Sequence, residues 1–254
     1  MKLVWQAVVI SMSFIFSIKV HAQIQANSDV DVLNVALMNE DRYPYFVKPK
    51  FGAPEKGVYI DLLNEIGEMT GIRFKYHFYP QSRVRHLMKY QKIDVEPGIA
   101  KEWRTELLEL ENSVYSIPLY RTSEVVIYRR SHFESPPDTL SAFKTLTSCS
   151  VLGFYDVNIG GSDKDSITEN NSTKMIEMDR CDYMFMPLVI AEAKEINEQL
   201  IGITKPMKYF DLRIRLTKVN EGSLPKINAA IKLLRSQGYI TELFDKYKKL
   251  GESE

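Results

Sequence analysis

The alternation of apolar runs over residues 30–98 is the feature that most constrains what this chain can fold into. "VDVLNVAL" (30–37) is apolar and β-branched, which predicts a buried strand. "GVYIDLLNEIGEMTG" (57–71) sets Ile60, Leu63, Ile66 and Met69 near one face of a helix that stops at Gly71. "IRFKYHFY" (72–79) alternates Ile72, Phe74, Tyr76 and Phe78 with polar neighbours, the pattern of a half-buried strand. "PQSRVRHLMKYQ" (80–91) predicts a helix entered at Pro80, and "KIDV" (92–95) a short strand running into a Pro-Gly turn within "EPGIAKEWR" (96–104). A βαβαβ run of this kind implies a parallel sheet with helices on its faces.

A second set of signals follows. "SEVVIYRR" (123–130) reads as a strand, and the next segment carries two prolines and a short helix ending at "SAFKTL". "CSVLGFY" (149–155) opens a smaller group: a polar stretch, a strand at "CDYMFMP" (181–187), a helix over "LVIAEAKEINEQL" (188–200) and strands near 201–217. The end of the chain, 223–250, predicts two helices punctuated by Gly238, the first with Ile227, Ile231 and Leu234 on one face. The chain thus reads as two α/β units and begins and ends in the larger one.

Acidic and basic residues balance at 33 each, which argues against nucleic acid or an anionic membrane as the main partner. Residues 1–22, "MKLVWQAVVISMSFIFSIKVHA", place one lysine before an apolar run from Leu3 to Ile18 and end on Val20-His21-Ala22. That is the pattern of a secretory signal peptide cleaved after Ala22. The alternative is an uncleaved anchor, for which the run is short against the roughly 20 residues a span requires. The two cysteines, Cys149 and Cys181, sit in an exported chain at the starts of two neighbouring strand segments, so a disulfide is expected, with two buried thiols as the alternative. The four histidines are scattered, and neither a metal site nor a cofactor motif is expected.

Taken in order, several segments resemble the family 3 solute-binding proteins, the periplasmic receptors of polar amino-acid transporters. "GVYIDLLNEIGEMTG" resembles that family's glycine, spaced Asp-Leu and helix. "YPQSRVRHLMKYQKIDV" is similar to a subgroup's Pro-x-x-Arg, helix and Ile-Asp strand. "EWR…YSIPLYRTSEVVIYRR" resembles its arginine segment, Ser-x-Pro turn and return strand, and "LPKINAAIKLLRSQGYITELFDKY" its closing helices. The resemblance spans nearly all of residues 30–248. It implies a two-lobed α/β fold of the periplasmic-binding-protein type (type II), with two hinge strands and ligand in the cleft. The large lobe would be 23–126 plus 212–254, the small lobe 127–211. It further implies a periplasmic, monomeric protein that takes a small-molecule ligand and serves an ABC permease or a membrane sensor.

The resemblance also proposes site residues. Arg104 falls where the family clamps a ligand carboxylate, a task suited to the planar guanidinium; the alternative is a structural pair with Glu96 or Glu102. Gly98 would let backbone N–H groups approach the ligand. Arg83 lies one turn into its helix, where the choice is between the cleft and solvent. Tyr43, Tyr45 and Phe51 stand in the first aromatic loop, where the family sets a ring against its ligand and where core packing is the competing role. Phe154, Tyr155 and Asp156 occupy the place of the family's small-lobe anion loop, without its Gly-Thr step. Where amino-acid receptors place an aspartate for the α-ammonium, this chain has Pro187, which offers neither charge nor donor; Asp156 or Glu96 are the substitutes to consider.

Three function classes remain in play at this level: a binding protein for a small polar or anionic, amino-acid-like ligand; a dehydratase- or lyase-type enzyme on the same fold, with Glu96 or Asp156 as its acid or base; and a ligand-free interaction protein. The first is the leading expectation, and no catalytic residue is assigned.

Overall fold

The computed structural model describes residues 31–49, 52–155, 159–166 and 168–251. The expected leader 1–22, Phe51 and Asp156 therefore lie outside the described residues. The βαβαβ run is present as β1 (Val32–Met38), α1 (Val58–Thr70), β2 (Arg73–Tyr79), α2 (Gln81–Lys89) and β3 (Val95–Ile99), with β1 parallel to both β2 and β3. Helix α1 buries Ile60, Leu63 and Ile66, and stops because Gly71 adopts φ 73° and donates its N–H to the Gly67 carbonyl. Met69, at the end of that face, is exposed.

The third strand departs from the sequence reading. It is not "KIDV" followed by a turn: Glu96, Pro97 and Gly98 are themselves in β3. Gly98 sits at φ 76°, and a Cβ there would lie 2.2 Å from the Tyr59 hydroxyl. The proline and glycine are accommodated because the partner strand slips register between Arg213 and Ile214 opposite them. Glycine here makes room for an aromatic ring.

The chain continues through α3 (Leu107–Glu111), β4 (Ser113–Tyr115), β5 (Tyr120–Arg129), β6 (Thr147–Val151), β7 (Ser162–Ser166), α4 (Glu169–Glu177), β8 (Tyr183–Pro187), α5 (Leu188–Ala193), β9 (Ile201–Ile203), β10 (Lys208–Thr217), α6 (Leu224–Ser236) and α7 (Tyr239–Gly251). The short helix expected before β6 is present as a 3-10 helix, Leu140–Phe143. Two local expectations are corrected. Helix α5 ends at Ala193, not near 200, because 194–200 is mostly exposed and has no apolar face to bury. The polar stretch after residue 155 contains β7 and α4. Strand β7 escapes hydrophobic-pattern reading because it is a solvated edge strand, "SDKDS". Helix α4 is announced by Thr168, whose side chain accepts from the Asn171 N–H at 3.1 Å.

The strand order is β2-β1-β3-β10-β5-β8-β6-β7, with β4 also on β10 and β9 also on β5. Strand β10 joins the halves. Lys208–Leu212 run antiparallel to β5, whereas Arg213–Leu216 pair with β3 and Arg215–Thr217 with β4. The molecule is accordingly two α/β lobes linked through β5 and β10. In the first, Ile227, Ile231 and Leu234 of α6 are buried with the α1 face. In the second, Cys149 of β6 and Cys181 before β8 are joined in a disulfide, with Cα atoms 5.8 Å apart. Cys149 lies mid-strand, and β6 and β8 are parallel neighbours, which brings the two side chains together. Among the described residues no helix is long and apolar enough to cross a membrane.

Candidate functional site: a cleft between the lobes

The ends of β1 and β3 and the start of α2 face, across a cleft of about 90 Å³, the β6–β7 loop, the first residue of α4 and the end of β8. Its walls include Arg42, Tyr59, Glu96, Gly98, Trp103 and Arg104 from the first lobe side, and Phe154, Tyr155, Glu169, Phe185 and Pro187 from the other. Glu124, on the linking strand β5, forms part of the wall between them.

Arg104 is 2% exposed. Its Nη2 donates to Glu96 Oε1 at 2.8 Å and its Nη1 to the Trp103 carbonyl at 3.1 Å, while Nε has no hydrogen-bond partner. Glu96 also accepts from Arg215 Nη1 at 2.9 Å and Gln81 Nε2 at 3.2 Å. Behind it, fully buried Glu109 accepts from Nε and Nη2 of Arg85, each at 2.8 Å, and lies 3.8 Å and 3.9 Å from Arg104 and Arg215. Burial alone would raise the Glu96 carboxyl, but Arg104 and Arg215 outweigh it and hold the group at about 2. Both terminal nitrogens of Arg104 are thus engaged inside the protein, and the cleft wall on this side is a closed network of charges.

The other expected residues separate. Gly98, Glu96, Phe154 and Tyr155 line the cleft with Arg104. Tyr45 is buried and stacked on Tyr59, centroids 4.9 Å apart, and Tyr43 packs edge-on against Tyr247 at 6.2 Å; both sit behind the wall in the aromatic core. Arg83 is exposed, its guanidinium 5.1 Å from the Tyr79 ring centroid.

Residues that sequence reasoning missed complete the site. Arg42 makes a bidentate pair with Glu169, Nε–Oε2 2.9 Å and Nη2–Oε1 2.8 Å, tying the first loop to α4 across the cleft. Burial would lower the Arg42 pKa, and the Glu169 pair overrides it and raises it. Glu40 accepts the N–H groups of Glu169 and Asn170 at 2.9 Å and 3.0 Å, so a first-lobe carboxylate occupies the start of that second-lobe helix. Gly153, at φ 96°, approaches α2 so closely that a Cβ would lie 2.7 Å from the Ser82 backbone. These partners are 127 to 130 residues apart for the Arg42 and Glu40 contacts; no local pattern signals them.

Glu124 is the remaining one. Only 8% exposed, it has no partner for Oε2, and among the described residues no ion pair reaches it. Burial pushes its carboxyl up to about 7, against the opposing pull of Lys208 and Arg42.

No protein-family model matches the sequence, and neither does any curated protein. Solved structures do. A mutant of ArgBP from T. maritima superposes with TM-score 0.71 at 18% identity, covering 86% of this chain and 95% of that one. AbpA from Streptococcus pneumoniae, an amino acid ABC transporter substrate-binding protein bound to L-arginine, gives 0.70 at 15%, covering 87% and 95%. A histidine kinase sensor domain with similarity to periplasmic binding proteins gives 0.69 at 15%, covering 86% and 97%. The fold is therefore that of the two-lobed substrate-binding proteins, as the resemblance of the sequence implied. Transporter receptors and a kinase sensor domain are both found on it.

Proposed function

We propose that this protein is a periplasmic solute-binding protein that captures a small, polar, amino-acid-like ligand in the cleft, for an ABC transporter or a membrane sensor. The observation that carries the reading is the cleft itself, walled by both lobes and crossed by β5 and β10. A ligand that touches both walls has differential affinity for the closed arrangement, which is what shifts an open–closed equilibrium. The lobes are assigned as 23–126 plus 212–254 and 127–211, supported by the change of partner along β10 at Leu212 and Arg213. Export through a leader cleaved after Ala22, a monomeric state and the absence of chemistry belong to the same reading.

In it, Phe154, Tyr155 and Gly98 contribute surface, Arg104 with Glu96 a rigid wall, and Tyr43 and Tyr45 hold that wall from behind. Arg83 stands as a rim candidate, and Asp156 as a candidate from its sequence segment alone. The neighbours that are amino-acid receptors or bind L-arginine support the ligand class.

A melting-temperature screen of amino acids, polyamines, dipeptides and organic acids tests the proposal. A stabilising compound that is recovered unchanged and lowers the radius of gyration in solution scattering is the expected result. Turnover of that compound by pure protein, abolished in Glu96→Gln, would instead establish an enzyme. No stabilisation by any compound would leave the fold without a binding function.

A further inference from the structure

Counting charges around the cleft leaves one carboxylate over. Three glutamates line it, Glu96, Glu124 and Glu169, together with two arginines, Arg42 and Arg104. Arg42 is committed to Glu169 through two hydrogen bonds, and Glu96 is shared between Arg104 and Arg215. Glu124 alone among the three has an oxygen buried with no partner. Its position in the sheet is specific. On the antiparallel ladders it stands directly opposite Pro187 of β8 on one side and Lys208 of β10 on the other. The Lys208 ammonium is 5.9 Å from the Phe185 ring centroid. Pro187 offers the cleft neither charge nor donor, and its neighbour across the ladder carries a carboxylate.

The surroundings suit a cation. Trp103, Phe154, Tyr155 and Phe185 line the same cleft, and ring faces attract ammonium and guanidinium groups. The Trp103 indole N–H is buried without an acceptor, which leaves a donor for a carbonyl or carboxylate elsewhere on the same ligand.

Resting on the solute-binding reading above, we infer that Glu124 is the anchor for the cationic nitrogen of the ligand, and that the ligand class is an amine or guanidine bearing a hydrogen-bond acceptor. Binding then has a proton signature. The Glu124 carboxyl, pushed up to about 7 by burial, faces Lys208 of β10, Arg42 of the first loop and Glu169 of α4. A cation that favours the carboxylate expels the proton, so affinity rises with pH. Between pH 6 and pH 8 the ionised fraction of such a group climbs from about one in eleven to about ten in eleven, so affinity should improve about tenfold.

The test is calorimetric titration of the full chain with L-arginine, L-lysine and 4-aminobutyrate, each a cation bearing a carboxylate acceptor, and with succinate as the anionic probe, at pH 6 and pH 8. Expected is binding of at least one cationic probe, about tenfold tighter at pH 8. In Glu124→Gln that affinity should fall at least tenfold at pH 8 and lose its pH response. The variant's melting temperature at pH 8 should rise, because a buried unpartnered charge has gone, so lost affinity would not reflect misfolding. Undiminished binding in Glu124→Gln, or succinate binding that strengthens as pH falls, would overturn the inference and leave the receptor reading standing. Failure of these probes alongside binding of a neutral or anionic compound from the melting screen would do the same. Failure of every compound in both experiments would overturn the two together.

Discussion

Arg104 fits two descriptions, a ligand clamp and a structural strut, and its partners favour the second. An arginine at the edge of a cleft suggests a clamp, but a clamp needs a free fork, and here both terminal nitrogens are already donated. Removing it would leave Glu96 buried with Arg215 as its remaining guanidinium. Breaking a buried pair costs about 3 kcal/mol or more, so Arg104→Ala should lower the melting temperature by roughly 10 °C in a domain of this size. Loss of ligand affinity at an unchanged melting temperature would show that it clamps ligand instead. Glu96 has the complementary pH response. Its folded pKa of about 2 lies below the ordinary 4.5, so the stability it contributes is complete above pH 4.5 and is lost as pH falls toward 2.

Among the elements, the β6–β7 loop and α4 make the contacts that bring the second lobe against the first. The Gly153 backbone abuts the first turn of α2, and Arg42 and Glu40 fasten the first loop to the start of α4. Gly153→Ala would push a methyl into the Ser82 backbone. Besides roughly 1–2 kcal/mol of backbone strain at positive φ, it should hold the lobes apart. The measurement is solution scattering: a larger radius of gyration than wild type, with helix content preserved. An unchanged radius would mean that α2 yields and the contact does not set the closure.

For the whole molecule, the second lobe depends on a covalent tie that the first does not have. Cys149 and Cys181 are 32 residues apart in sequence, and a bridge closing such a loop stabilises by roughly 3–4 kcal/mol on the chain-entropy argument. Reduction should lower the melting temperature, and the unreduced denatured protein should titrate no free thiol. Two titrated thiols would refute the bridge.

What the sequence determined by itself is local. Periods of 3.6 and 2 place α1, α6 and β2, Gly71 stops α1, and the order of strands and helices leads to the parallel sheet, because each of these depends on neighbours a few residues away. Two cysteines, one in β6 and one just before its parallel neighbour β8, were legible for the same reason. The elements without an apolar period, β7 and the missing second half of α5, were not. The site was legible only in part. Glu96, Gly98, Arg104, Phe154 and Tyr155 could be named from their segments. The pairing of Arg104 depends on Glu96, which Arg215 shares, the packing at Gly98 on the ring of Tyr59, and the isolation of Glu124 on what fails to reach it. Arg215 reaches Glu96 from 119 positions away and Arg42 reaches Glu169 from 127; such pairs are brought together only by folding, and their energies exist only once water has been excluded between them.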